Sequence, residues 1–318
     1  MIELSRYTKD KKLKWDNFIS NSKNGVFLFY RDYLEYHEDR FIDHSLVICK
    51  RDKIVAIFPA NEDRQEIVSH GGLTFGSLIM SKNLRAVEVI QIFKLIIAYY
   101  SNLGFSRIIY KPIPSIFQKY PSDEDLYALF LNDAKLFRRD ISSVLKIDNR
   151  LRFSETKRQS VAKCKKEGIE VIENNCFIEY WGLLSEVLLK YNAKPVHSLE
   201  EIVRLKKIFP DKIKLYEARK EGELLAGIVI YDYENVAHTQ YMANSQKGRK
   251  IGALDFINDE LITNQFQEKE YFSFGASTES QGKKLKTGLI QQKEMMGGRG
   301  ITLDFYSISL QKNIVKTL

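Results

Sequence analysis

VAHTQYMANSQKGRKIGALDFINDELI, residues 236–262, reads as a strand, a glycine-bearing loop and a helix. Leu254, Ile257, Leu261 and Ile262 fall at helical spacing, which fixes the helix and its buried side. Just before it, the loop SQKGRKIGA carries Gly248 and Gly252. Free N–H groups at a helix N-terminus point outward, so such a loop is a natural seat for a phosphate. Gln246, Lys247, Gly248, Arg249, Lys250, Gly252 and Ala253 are therefore the candidate residues for a phosphate-bearing co-substrate. The chain continues at 271–300 with YFSFGASTESQGKKLKTGLIQQKEMMGGRG, a short strand over 271–274 running into the small-residue cluster GAST, and closes with ITLDFYSI at 301–308.

Working outward, 318 residues with 44% apolar content suffice for two domains, each with its own core. The charge of +8 suits a partner that carries phosphates as well as an ordinary soluble protein. Cys49, Cys164 and Cys176 are scattered and form no CxxC, which argues against a disulfide framework and for a reducing compartment. The N-terminal MIELSRYTKDKKLK contains no apolar segment of a secretion signal, and IFKLIIAYY (92–100) is too short to span a bilayer. These features are read as a cytoplasmic protein, with the membrane periphery open to it. The five histidines and three cysteines have no metal-ligand spacing, so no metal is expected.

The order of elements occurs twice. HSLVICK and IVAIFPA form a hairpin across RDK, followed by the strand-like EIVSHGGLTFGSLIM, a helix over Leu84–Leu103, the strand SRIIYKP, a helix near Asp123–Asn132 and the strand ISSVLKI. After helices near Ser154–Glu167, Phe177–Tyr191 and Leu199–Phe209, KLYEARKEGELLAGIVIY is again a hairpin, turning at Glu221-Gly222. Strand, helix and strand follow over 236–274. The economical reading is an α/β (α+β) chain of two domains of one architecture, 1–150 and 151–318, each a mostly antiparallel mixed sheet flanked by helices. The run at 150–168 (Arg150, Arg152, Lys157, Arg158, Lys163, Lys165, Lys166) is either a solvated helix face or the phosphate-facing wall of a cleft between the domains. Without aromatic interleaving or a nucleic-acid motif it does not point to DNA.

Hairpin, strand, glycine loop, helix and splayed short strand resemble the GNAT acyltransferase fold. KGRKIGAL (247–254) lies nearest to that family's Arg/Gln-x-x-Gly-x-Gly/Ala phosphate loop, with Lys250 where the middle glycine is expected. The duplicated plan resembles the Fem-type branch with tandem GNAT domains, in particular the Fem-related proteins of bacterial surface-polysaccharide biosynthesis. The residues that carry the likeness are RDYLEYHEDRFIDHSL (31–46), SHGGLTFGSLI (69–79), YKPIPSIFQKYPSDEDLYALF (110–130), PVHSLEEI (195–202), 237–262 and FGASTESQGKKLKTGLIQQKEMMGGR (274–299). The resemblance implies an enzyme, an N-acyltransferase, that moves an acyl or aminoacyl group to an amine. Acyl-CoA is then a co-substrate rather than a resident cofactor, with an amino sugar or nucleotide-linked sugar as acceptor. Aminoacyl-tRNA is the alternative donor, and a non-catalytic binding subunit of a glycan-assembly complex is the reading from another class.

Amine acylation needs a proton acceptor and donors for the carbonyl oxygen. His238 and Gln240 are one strand period apart and share a sheet face; His238 is either the base or a histidine bonded within the sheet. Glu279, after FSFGAS, is base or amine anchor, or else an acid near a helix start, and Ser277 beside it is a substrate contact. His70, Thr74, Tyr110 and Lys111 hold corresponding places in the first half and are expected along an acceptor pocket, together with Lys157 and Arg158. Ser198 and Glu201 form a capping box that accounts for PVHSLEEI without function. Lys293 and Glu294 are expected on a helix surface.

Overall fold

The computed structural model describes residues 1–310, which divide into two compact units. Of the described residues, the first comprises 1–140, 280–283 and 302–310; the second comprises 141–279 and 284–301.

In the first unit, Leu46–Lys50 and Lys53–Phe58 form the expected hairpin. Arg51 and Asp52, with φ of 50° and 61°, supply the left-handed pair that a tight two-residue turn demands. Ile2–Arg6 pairs outside Leu46–Lys50, and Ile79–Met80 outside Lys53–Phe58, all antiparallel. A further set of strands runs Arg299–Ser309, Arg107–Tyr110, Glu66–Val68, Asn61–Asp63 and Ile42–Asp43. The helix Ala86–Asn102 buries Val89, Ile92, Phe93, Ile96 and Tyr100 against Leu46, Ile48, Phe58 and Met80. Each such side chain stabilises the unit by about 1.5–3 kcal/mol.

In the second unit the strands run Glu170–Asn174, Ile213–Lys220, Glu223–Asp232, Val236–Asn244, Tyr271–Ala276 and the latter half of Lys135–Lys146. Neighbours are antiparallel except Val236–Asn244 and Tyr271–Ala276, which are parallel. The second hairpin turns at Glu221 and Gly222, with φ of 50° and 82°. Ala253, Phe256, Ile257 and Leu261 pack the next helix onto Ala218, Ile228 and Ile230. That helix is α over Ala253–Glu260 and widens to π over Leu261–Gln265.

Three expectations are corrected. The loop at 245–253 is a helix, Gln246–Ile251, because Ser245 caps it by accepting from the Gly248 N–H at 3.0 Å. The strand through 66–80 breaks after Val68, since His70 takes a left-handed φ of 54° and, apart from a single bridge between Gly76 and Lys111, no strand forms again until Ile79–Met80. The sequence suggests a short helix around 31–40, and the helix that begins at Arg31 stops at Leu34. Among the described residues no helix is long and apolar enough to cross a membrane.

Candidate functional site

The parallel pairing of Val236–Asn244 with Tyr271–Ala276 lasts three residues, Val236↔Tyr271, Ala237↔Phe272 and His238↔Ser273. Beyond His238 the first strand stays paired on its other side, as far as Asn244↔Ala226. Both strands are irregular where they part. Ile230↔Thr239 is followed by Val229↔Tyr241, so Gln240 is an extra residue, and Ser273↔Val144 is followed by Gly275↔Ser143, so Phe274 is another. Bulges bend strands, and two of them at one point open a fork. Main-chain groups facing a fork have lost their ladder partners and must find others, from solvent or from a ligand.

Several polar groups converge there. His238 Nδ1 lies 3.0 Å from Ser273 Oγ across the last shared rung. Burial, and then the charge of Lys293, pushes the imidazole down to about 4, so it is neutral at physiological pH. Lys293, from the helix Thr287–Met295, is 2% exposed. Its Nζ donates to the Gly275 carbonyl at 2.8 Å, the Ala276 carbonyl at 2.8 Å and Ser277 Oγ at 2.9 Å. Burial, then Lys286, pulls its ammonium down to about 8. The Thr239 hydroxyl is buried and has no hydrogen-bond partner among the described residues. Gly275, at φ +74°, turns its carbonyl to Lys293 in a conformation that side chains resist.

The expected surface position of Lys293 is thus overturned. Ile290, Lys293 and Met296 are all buried, three residues apart on one helical stripe, which is the signal that marks Lys293 as inward-facing. Gly298 lets the chain leave the helix beside it, since a Cβ there would lie 2.9 Å from the Lys293 carbonyl oxygen and 3.2 Å from Ser143. Ser273 and Thr239 also went unread; nothing in a lone Ser or Thr on a strand announces where its neighbour departs.

Of the expected residues, His238 and Ser277 come together around Lys293 and the fork. Gln240 is the bulged residue, so simple strand alternation does not relate it to His238. Glu279 lies in the two-residue strand Thr278–Glu279, which pairs with Lys284–Leu285, and is held by Lys284 at 2.6 Å and Lys286 at 3.3 Å. Those two hydrogen bonds lower its pKa, which weakens it as a base. Lys157 is 2.7 Å from Asp255, while Arg158 is exposed and ion-paired with Glu155. In the first unit Tyr110 is a core residue rather than a pocket wall. It is stacked on Phe58 and donates to Asp125 at 2.6 Å. Thr74 is exposed, whereas Lys111 is buried beneath His70, donating to the carbonyls of His70 and Leu73 at 2.7 and 2.5 Å.

The glycines of the expected phosphate loop serve packing. A Cβ on Gly248 would stand 2.2 Å from both Asn244 Oδ1 and the Leu225 carbonyl, and one on Gly252 would stand 2.4 Å from Ser160 Cβ. The Gly248 N–H is already used by Ser245. Beside these residues lies a cavity of about 430 Å³, lined among others by Lys157, Tyr191, Asn244, Arg249, Gly252 and Gln292. The basic side chains that line it are Arg249 and Lys157, the latter paired with Asp255.

No family model matches this chain. No curated protein matches it in sequence. Solved structures do. FemX is similar with a TM-score of 0.67 at 10% identity, over 95% of this chain and 96% of that one. L-PGS from Bacillus licheniformis gives 0.58 at 13% identity, over 96% and 92%. A tandem GNAT protein from the clavulanic acid biosynthesis pathway gives 0.52 at 9% identity, over 98% and 100%. The fold is tandem and GNAT-like, as the order of elements led one to expect.

Proposed function

We propose that the chain is an N-acyltransferase that carries an acyl group from a CoA thioester to the amine of an amino sugar or nucleotide-linked sugar, in surface-polysaccharide assembly on the cytoplasmic side of the membrane. What supports this reading above all is the fork after His238 and Ser273, with the ammonium of Lys293 buried at its base. A thioester carbonyl laid in the fork meets unladdered backbone donors and a positive charge, both suited to the oxyanion of a tetrahedral intermediate. The amine nitrogen attacks the carbonyl carbon, the C–N bond forms and the C–S bond breaks. The proton shed by nitrogen passes through water to the departing thiolate. His238, neutral and bonded to Ser273, keeps the last rung closed. Glu279, with a lowered pKa, anchors the incoming ammonium rather than acting as the base; the ammonium gives one proton to solvent water before the attack, which leaves the neutral amine. The name of the clavulanic acid pathway protein, a tandem GNAT, is in keeping with this chemistry.

A second reading, with aminoacyl-tRNA as donor, is favoured by one observation: Gly248 and Gly252 are consumed by packing and leave no glycine cradle for a pyrophosphate. Calorimetry separates the two. On the first reading CoA binds, pantetheine lacking the pyrophosphate arm binds at least about tenfold more weakly, and Arg249→Glu abolishes the difference. Equal binding of both ligands, or of neither, removes CoA as donor and advances the tRNA reading.

A further inference from the structure

The first unit contains a cavity of about 220 Å³ to which the reading above gives no role, lined among others by Tyr7, Arg31, Glu35, Phe41, Asp43 and His70. We infer that this cavity is a binding site for a donor-rich, ring-sized ligand, an amino sugar of hexosamine size.

Size sets the first bound. The volume is below the range of about 300–1,000 Å³ that houses drug-sized ligands and nucleotides, so a single ring fits. Charge sets the second. Arg31 is 2% exposed and wholly engaged: its Nε donates to Glu35 at 2.9 Å, its guanidinium reaches Asp43 at 2.6 Å, and it lies 3.8 Å over the Tyr7 ring. Lys9 is likewise paired with Glu38 at 3.3 Å. A phosphate would have to break these pairs. After the bonds already made, two at Glu35 and three at Asp43, each carboxylate keeps a spare lone pair for a further donor, such as a hydroxyl or an ammonium.

His70 gives the third indication. It is 2% exposed, and its Nδ1 has no hydrogen-bond partner among the described residues. Burial, then the nearby charges of His37, Lys111 and Arg31, lowers its pKa well below the ordinary histidine value. Leaving such a nitrogen unsatisfied costs about 1–3 kcal/mol. The fold nonetheless constructs this position. His70 holds a left-handed φ of 54°, Lys111 clamps its carbonyl at 2.7 Å, and the ring is stacked 5.2 Å from His37 and tilted 5.5 Å from Phe41. Gly72 is required as well, because a Cβ there would lie 2.2 Å from His37 Nε2. Strain of this kind persists where surrounding structure enforces it, and it clusters at ligand sites. A hydroxyl or amine from the ligand would satisfy Nδ1, and the Phe41 ring offers an apolar face to sugar C–H groups.

The inference stands apart from the acyl-transfer reading, because binding is measured with no donor present. Glucosamine, N-acetylglucosamine and inorganic phosphate are titrated into the full chain while the side-chain nitrogen resonances of His70 are followed by NMR. Glucosamine at up to about 20 mM should shift the His70 Nδ1 resonance and saturate, N-acetylglucosamine should bind at least about tenfold more weakly, and phosphate should not compete. His70→Asn, which tolerates a left-handed backbone, should weaken glucosamine at least tenfold. Phe41→Leu should do so severalfold. An unmoved His70 resonance, equal affinity in His70→Asn and Phe41→Leu, or displacement by phosphate would overturn the assignment.

Discussion

Lys293 Nζ donates to the carbonyl of Gly275 at 2.8 Å, and Gly275 is the residue where the strand from Tyr271 slips its register against Lys135–Lys146. A buried ammonium and a left-handed glycine thus stabilise one bend. The Gly275 carbonyl is directed at Lys293 by a φ of +74°, and Lys293 in return satisfies carbonyls that the broken ladder leaves exposed.

If Lys293 is the positive charge of the site, Lys293→Met should lower kcat about 10²–10³-fold, the range for loss of one oxyanion-stabilising group. The variant also leaves the Gly275 and Ala276 carbonyls unpaired, so its melting temperature is measured alongside. Activity within a few-fold of the parent in a folded variant would assign Lys293 to structure alone.

The buried titrating groups set opposite slopes of stability against pH. Burial raises Asp125 from 3.8 to about 7, so the folded chain holds a proton that the unfolded chain has lost, and stability falls as pH rises across that window. Lys111 is lowered from 10.5 to about 7 by burial and then Arg138, and Lys293 from 10.5 to about 8. For both lysines stability rises with pH from the folded value up to 10.5, and is lost as pH falls through the folded value. Asp125→Asn should flatten the fall between pH 4 and 7, an effect on the order of a few kcal/mol. Denaturant melts at half-unit intervals check this; an unchanged slope in the variant would refute the assignment.

Gly248→Ala and Gly252→Ala should each destabilise by about 1–3 kcal/mol, since their Cβ atoms would overlap Asn244, Leu225 and Ser160. Lys250→Ala, on an exposed side chain of the same helix, should leave the melting temperature within a degree or two. Two glycine variants as stable as the parent would return these residues to a role in ligand approach.

Glu279→Gln should raise KM for the acceptor with kcat little changed, because a carboxylate already paired with Lys284 and Lys286 anchors an ammonium better than it removes a proton. A fall in kcat at constant KM would reinstate it as the base.

The hairpins at Arg51-Asp52 and Glu221-Gly222 were legible because polar turn residues interrupt two runs of apolar, β-branched sequence. The helices at 86–102 and 253–260 were legible through their apolar stripes. The fork was not: a bulge at Gln240 is a matter of register against Glu223–Asp232, and no local preference encodes it. The glycines after Ser245 suggest a loop and hide its role as a cap, whereas Gly248 is there for the room it leaves Asn244 and Leu225. The charge of Lys293 argues for the surface, whereas its spacing from Ile290 and Met296 puts it on the buried stripe.

The most direct measurement is the intact mass of an amino-sugar acceptor after incubation with the chain and acetyl-CoA, with free thiol followed in the same tube. The account predicts a gain of one acyl group on the amine, matched one-to-one by thiol release, and loss of both with Lys293→Met. An acceptor of unchanged mass with acetyl-CoA, and again with aminoacyl-tRNA, would contradict acyl transfer at the fork.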